Sequence, residues 1–85
     1  MQSFMYTVKA PVGLHARHAG ILVRAAKSFD ARIVVWKGDR SADATHLFGL
    51  MGLGIRQGDL IRVTVEGAEE DSAALRFKAV LWENL

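Results

Sequence analysis

The sequence has no cysteine, one proline, one tyrosine and no long apolar run. Without cysteine, the chain cannot form disulfides, thiolate nucleophiles, zinc ribbons or iron–sulfur clusters. Its longest apolar run covers nine residues, 47–55, whereas about 18 are needed to span a bilayer. The N-terminus also lacks the charged and apolar regions of a targeting peptide. We therefore expect a cytoplasmic protein that does not insert into a membrane.

The composition is that of one small globular domain. The 85 residues are 51% hydrophobic, which is apolar enough to fold and too short to build a second core. We therefore expect a single domain over residues 1–85. A chain of this size cannot readily enclose a pocket that excludes water, so any chemistry should take place at its surface.

The charge is unevenly distributed along the chain. The net charge of +2 is too small to indicate a nucleic-acid or membrane binder. Residues 1–62, however, contain nine Lys or Arg against four Asp, and residues 63–85 contain two against five acids. This asymmetry predicts a basic face that meets an acidic protein partner.

Hydrophobic periodicity predicts seven elements in the order βαββαβα. The strands are expected at residues 4–10, 33–36, 40–43 and 60–66, with a two-residue turn at Gly38-Asp39. A first helix from Ala16 has a core stripe made of Ala19, Leu22, Val23, Ala26 and Phe29. One or two short helical turns follow within 47–54, closed by Gly54, and a last helix has the acids 69–71 in its first turn. This order predicts an α+β fold with helices on one face of an antiparallel sheet.

One segment carries chemical information, the stretch Gly13-Leu14-His15-Ala16-Arg17-His18-Ala19. A histidine stands just before the first helical turn, where unpaired amides form an anion site that favours a neutral ring over an imidazolium. Arg17 can add a planar fork of donors to phosphate oxygens. Taken alone, this pattern also fits a partly exposed histidine that only caps the helix.

The segment Gly13-Leu14-His15-Ala16-Arg17 resembles the active-site motif of HPr, the histidine-containing phosphocarrier family of the bacterial phosphotransferase system. The similarity extends to Phe29, to 49–54, to the turn at 57–59 and to the glycine and acids at 67–71. The resemblance implies an open-faced β-sandwich of four antiparallel strands and three helices. It implies a phosphoryl carrier, not an autonomous enzyme, with no cofactor.

By this resemblance, His15 accepts a phosphoryl group on Nδ1 from enzyme I and passes it to a histidine of an EIIA domain. Arg17 and the backbone amides of Ala16 and His18 would hold its oxygens. The resemblance also implies a docking surface composed of Gly20, Leu47, Phe48 and Met51, ringed by Arg17, Arg24 and Lys27. Periodicity alone leaves open whether Phe48 and Met51 fill the core or are exposed. We expect a monomer that binds no nucleic acid.

Two histidines depart from the family pattern. His18 replaces a proline and restores a backbone donor that can bind phosphate. His46 replaces the serine that a kinase phosphorylates in Gram-positive members, so we expect no such regulation here. Three imidazoles, including His15, could in principle bind zinc. We expect no metal, because an i,i+3 pair is not a strong zinc spacing and no carboxylate or cysteine completes it.

Other functions remain open at this point. The chain could serve a regulatory phosphorelay of the nitrogen-related type, or it could be part of a larger protein of the dihydroxyacetone-kinase type. It could also be a docking module that is never phosphorylated. The pair His15 and Arg17 favours a phosphocarrier, because a module that only docks has no need of the imidazole.

Overall fold

The computed structural model covers residues 1–85 and contains four strands and three helices. The strands are β1 (Gln2–Thr7), β2 (Arg32–Lys37), β3 (Arg40–Asp43) and β4 (Leu60–Glu66); the helices are α1 (Ala16–Lys27), α2 (Leu47–Met51) and α3 (Glu70–Asn84). All strand pairs are antiparallel, in the order β1-β4-β2-β3. The predicted open-faced α+β sandwich is confirmed. No helix has both the length and the apolar character that a membrane crossing requires.

The sheet buries one face against the helices. Ile61, Val63 and Val65 of β4 are buried while Arg62 and Glu66 are exposed, as the alternation along this strand predicts. Helices α1 and α3 pack on each other above that face. Phe77 of α3 is fully buried, and burial of such a side chain is worth about 1.5–3 kcal/mol.

Three predicted boundaries were wrong by a few residues. Helix α2 ends at Met51 with Gly52 as its C-cap, before the predicted stop at Gly54. The first strand begins at Gln2 and ends at Thr7, where its partner β4 also begins. Beyond Thr7 the amide of Val8 donates to the Asp59 carbonyl, and later amides donate to the Leu85 carbonyl, so the chain leaves the ladder. In the last helix, Glu69 is the N-cap and not a first-turn residue.

Two members of the predicted core stripe of α1 are only half-buried. Ala19, Leu22 and Ala26 are buried, but Val23 and Phe29 are packed at the edge of the core. Helix α1 ends at Lys27, and Phe29 lies beyond it. The stripe therefore fixes which face of α1 meets the sheet, and the helix end lies nearer to solvent.

Candidate functional site

His15 is the N-cap residue of α1. Its backbone is extended, with φ −111° and ψ −176°, and its Nδ1 accepts a hydrogen bond from the backbone N–H of Arg17 at 3.3 Å. Because an amide can only donate, Nδ1 presents its lone pair to the helix N-terminus and the proton of the neutral ring is on Nε2. The side chain is exposed, so this ring lies at the surface beside the first amides of α1.

The first turn of α1 supplies donors around this nitrogen. The first amides of a helix have no intrahelical partners, and here they belong to Ala16, Arg17 and His18; the next amide, of Ala19, bonds to the His15 carbonyl. No acidic residue lies in this turn. The arrangement can therefore bind an anion next to Nδ1 of His15.

Gly13 shapes the approach to the helix. Its φ is 68°, a value that side chains other than glycine rarely adopt. The next residue, Leu14, donates its amide to the Ile55 carbonyl at 3.1 Å. The turn before His15 is thereby attached to the loop that follows α2.

The imidazole of His18 lies next to that of His15. Its Nδ1 is 3.1 Å from the Gly13 carbonyl, and its ring centroid is 4.2 Å from that of His15, with the ring planes tilted by 43°. From the sequence, His18 was expected to bind phosphate through its backbone amide, and its imidazole was considered only as a possible zinc ligand. The side-chain contact follows from an i,i+3 pair in one helical turn, so the spacing of the two histidines is the signal that could have revealed it.

The basic residues of α1 are exposed and make no ion pair. Arg17 follows the N-cap, and Arg24 and Lys27 lie in the last turn. The three ion pairs of the structure involve other groups: the N-terminus with Glu70, Arg32 with Asp43, and Lys37 with Asp59. The cations of α1 are thus free to meet an acidic surface.

Helix α2 packs against α1 and presents one large apolar side chain to solvent. Phe48 is 82% exposed, while Leu47 and Met51 are half-buried and packed against the core. This resolves the question that periodicity left open: Phe48 is at the surface, and Met51 contributes to both core and surface. On α1, Gly20 is half-buried, and a side chain there would meet no atom within 4 Å.

Hydrogen bonds from outside α2 fix both of its ends. At its start, the Asp43 carboxylate accepts bonds from the amide and hydroxyl of Thr45, and His46 is an exposed N-cap without a side-chain capping bond. Just past its end, the carbonyls of Gly52 and Gly54 accept bonds from Arg40 and Lys37 of the β2–β3 hairpin, each at 2.7 Å. This hairpin contact was not predicted from the sequence. It holds in place the helix that exposes Phe48.

The histidines do not assemble a metal centre with other ligands. No group of three or more histidine or carboxylate side chains in the structure could hold a metal ion. The contact between His15 and His18 therefore involves these two rings alone.

The family model "PTS HPr component phosphorylation site" matches residues 2–82, nearly the whole chain. The chain belongs to the HPr family. It is 36% identical over 85 residues to the phosphocarrier protein HPr of Mycoplasma genitalium, and the match covers 99% of this chain and 97% of that protein. The phosphocarrier fold and the assignment to the phosphotransferase system thus rest on both sequence and structure.

Further relatives support the assignment to HPr. The crystal structure of HPr-C-His from Thermoanaerobacter tengcongensis superposes with a TM-score of 0.93 at 30% identity, covering 99% of this chain and 94% of that one. The chain is also 41% identical over 80 residues to a multiphosphoryl transfer protein of Xanthomonas campestris pv. campestris. That match covers 94% of this chain but only 10% of the much longer relative. An HPr-like chain can therefore resemble both a separate carrier and a segment of a larger protein.

Proposed function

We propose that this HPr-family chain accepts a phosphoryl group on Nδ1 of His15 from phosphorylated enzyme I and passes it to a histidine of an EIIA domain. The observation that carries the proposal is the orientation of His15, whose Nδ1 lone pair faces the unpaired amides of α1 while the ring is exposed. A buried histidine could not be reached by two larger proteins in turn. The proposal places this activity in the cytoplasm, with the chain as a monomer.

In the proposed transfer, the Nδ1 lone pair forms the new N–P bond as the N–P bond of the donor breaks, and its electron pair returns to the donor nitrogen. Such a transition state needs positioning and charge stabilisation more than covalent help. The Arg17 amide, which donates to Nδ1 at 3.3 Å, would then donate to a phosphoryl oxygen. The amides of Ala16 and His18 and the exposed guanidinium of Arg17 supply further donors.

The proposed docking surface combines exposed Phe48 with half-buried Gly20, Leu47 and Met51. Arg24 and Lys27 would steer acidic partners toward it, because these side chains are exposed and have no intramolecular ion pair. His46 has no hydroxyl, so the proposal includes no phosphorylation by a serine kinase at this position. Protein mass spectrometry after incubation with such a kinase and ATP checks this point.

The test is incubation of the chain with enzyme I and radiolabelled phosphoenolpyruvate. We expect label that is acid-labile and alkali-stable, as a phosphohistidine is, and its loss in His15→Asn. Asparagine is the matched substitution because it retains a good N-cap acceptor and cannot take the phosphoryl group. His46→Asn, at the N-cap of α2, is the control and should be labelled like the wild type. No label on the wild type would overturn the proposal.

A further inference from the structure

The ring of His18 is held in a fixed place beside the phosphoryl acceptor. It is half-buried, and its Nδ1 bonds to the carbonyl of Gly13 at 3.1 Å. Gly13 packs closely against the backbone of Ile55 and Arg56, and the next amide, of Leu14, donates to the Ile55 carbonyl. His18 therefore does not move freely as an exposed histidine would, and its distance of 4.2 Å from the His15 ring is a property of the fold.

The hydrogen bonds determine which nitrogen of His18 is available. A carbonyl oxygen only accepts, so Nδ1 of His18 carries a proton. The remaining nitrogen, Nε2, has no hydrogen-bond partner in the protein. Nε2 can be bare in a neutral ring or protonated in an imidazolium, and imidazole is the side chain whose charge ordinarily changes near neutral pH.

The charged residues of the two segments next to this ring are two arginines and one carboxylate. Arg17 lies in the same turn, and Arg56 lies in the loop that packs against Gly13. The carboxylate of that loop, Asp59, is paired with Lys37 at 3.0 Å. Neither the first turn of α1 nor this loop offers an unpaired carboxylate to His18.

Two other elements lie against α1 or the turn before it. Helix α2 begins after His46, which is a third histidine and not a carboxylate. The end of α3 approaches the turn because the amides of Lys9 and Ala10 donate to the Leu85 carbonyl, and its last turn contains exposed Glu83. Glu83 and the terminal carboxyl group of Leu85 are thus the acidic groups at this end of α3.

We propose that His18 binds a proton on Nε2 when His15 is phosphorylated, and that its imidazolium then balances the charge of the phosphoryl group. The inference rests on the phosphorylation of His15 proposed above. A phosphoryl group bears close to two negative charges near neutral pH, and on His15 these charges would lie one ring away from His18. The N–P bond forms as already described, and the single additional proton comes from water. His18 is thereby a positioning and charge-balancing residue that couples phosphoryl transfer to pH.

The first experiment observes the ring directly. The protein is labelled with ¹⁵N-histidine and phosphorylated with phosphoramidate, a reagent that phosphorylates histidine without an enzyme, and ³¹P signals identify the modified nitrogen. At pH 7 we expect both His18 nitrogens to acquire the chemical shifts of protonated nitrogens only after His15 is phosphorylated. A His18 spectrum that is the same in both states would overturn the inference. Failure of enzyme I to phosphorylate the chain would count against the proposed function alone.

The second experiment measures the linkage between proton and phosphoryl group. The equilibrium fraction of phosphorylated chain is measured from pH 8 to pH 6 in the wild type and in His18→Gln, whose side-chain amide can still donate to Gly13 but cannot ionise. If phosphorylation takes up one proton, the equilibrium constant for phosphorylation rises more in the wild type than in the variant as the pH falls. The additional rise is up to about tenfold for each pH unit. Equal pH dependence in the two proteins would contradict the inference, because titration of the phosphoryl group itself is common to both.

Discussion

A side chain at position 13 would place its Cβ 2.5 Å from the carbonyl oxygen of Ile55, so Gly13 and Ile55 can pack together only because position 13 is glycine. The same carbonyl accepts the amide of Leu14. The turn that leads into His15 is therefore fixed to the loop after α2, and the position of His15 depends on a contact made more than forty residues along the chain.

Gly13→Ala should reduce the free energy of unfolding by about 2–5 kcal/mol. A positive φ alone costs an alanine about 1–2 kcal/mol, and the clash with Ile55 adds about 1–3 kcal/mol. Urea unfolding measures the loss. Gly38→Ala is the matched control, since Gly38 has φ 62° but no atom within 4 Å of an added Cβ, and only the first cost applies. Equal losses in the two variants would show that the contact with Ile55 does not matter.

The hydroxyl of Tyr6 is buried without a hydrogen-bond partner in the protein. Burial raises the pKa of this phenol above its ordinary value. Because the folded pKa exceeds the unfolded one, ionisation of Tyr6 does not lower the free energy of unfolding below about pH 10. Above that value the phenol of the unfolded chain ionises first, so the free energy of unfolding falls as the pH rises. Tyr6 is the only tyrosine, so phenolate absorbance reports on it alone. We expect its titration in the folded protein at a higher pH than after unfolding in urea.

Tyr6→Phe provides the complementary test. Removal of an unpaired buried hydroxyl should leave the free energy of unfolding at pH 7 unchanged or raise it by about 1 kcal/mol. The edge-to-face contact with Trp82, at a centroid distance of 5.8 Å, is retained by phenylalanine. A loss of more than about 1 kcal/mol would mean that the hydroxyl has a partner in solution.

The Asp43 carboxylate stabilises the start of α2. Burial raises its pKa. Hydrogen bonds from the Thr45 hydroxyl and amide, together with nearby His46 and Arg32, have the larger opposite effect, so the pKa lies below its ordinary value. This contribution to stability is present above about pH 4 and is lost as the pH falls through the folded pKa. Asp43→Asn should therefore cost about 1 kcal/mol at pH 7, and its difference from the wild type should shrink in acid.

Urea unfolding from pH 7 to pH 2.5 measures that difference. Asp39→Asn is the control, because Asp39 is exposed in the hairpin turn and makes no ion pair. We expect the control to match the wild type at every pH. A constant difference between Asp43→Asn and the wild type over this range would rule out a role for the ionised carboxylate.

Local pattern was sufficient to predict the element order and the core-facing residues of β4, because alternation and helical periodicity are set by residues close in sequence. The end of β1 at Thr7 was not predictable in this way. It depends on where β4 begins and on the Leu85 carbonyl, which bonds to amides just beyond the strand. Such ends are determined by tertiary partners.

In the candidate site, too, features set by neighbouring residues were predicted and features set by tertiary contacts were not. His15 and Arg17 stand out in the sequence as neighbours at a helix start, and the structure places Nδ1 of His15 against the Arg17 amide. The i,i+3 spacing could have indicated the contact between the two rings, but it does not predict the hydrogen bond of His18 to the Gly13 carbonyl. The bonds of Lys37 and Arg40 to the end of α2 were not predicted, because both residues lie in the β2–β3 hairpin. Their acceptors are backbone carbonyls, which every residue has, so the sequence does not mark them.

Phe48→Ser should weaken docking to enzyme I without affecting the fold. Phe48 is 82% exposed, so we expect a change in the free energy of unfolding of less than about 0.5 kcal/mol. A central aromatic contact in an interface is worth more than about 1 kcal/mol, so the KM of enzyme I for the chain should rise about tenfold with little change in kcat. The matched control is Leu75→Ser, on the exposed side of α3, where 75% of the side chain is accessible. If both variants retain the wild-type KM, Phe48 is not part of the docking surface, and an equal rise in both would indicate a general response to the loss of surface hydrophobicity.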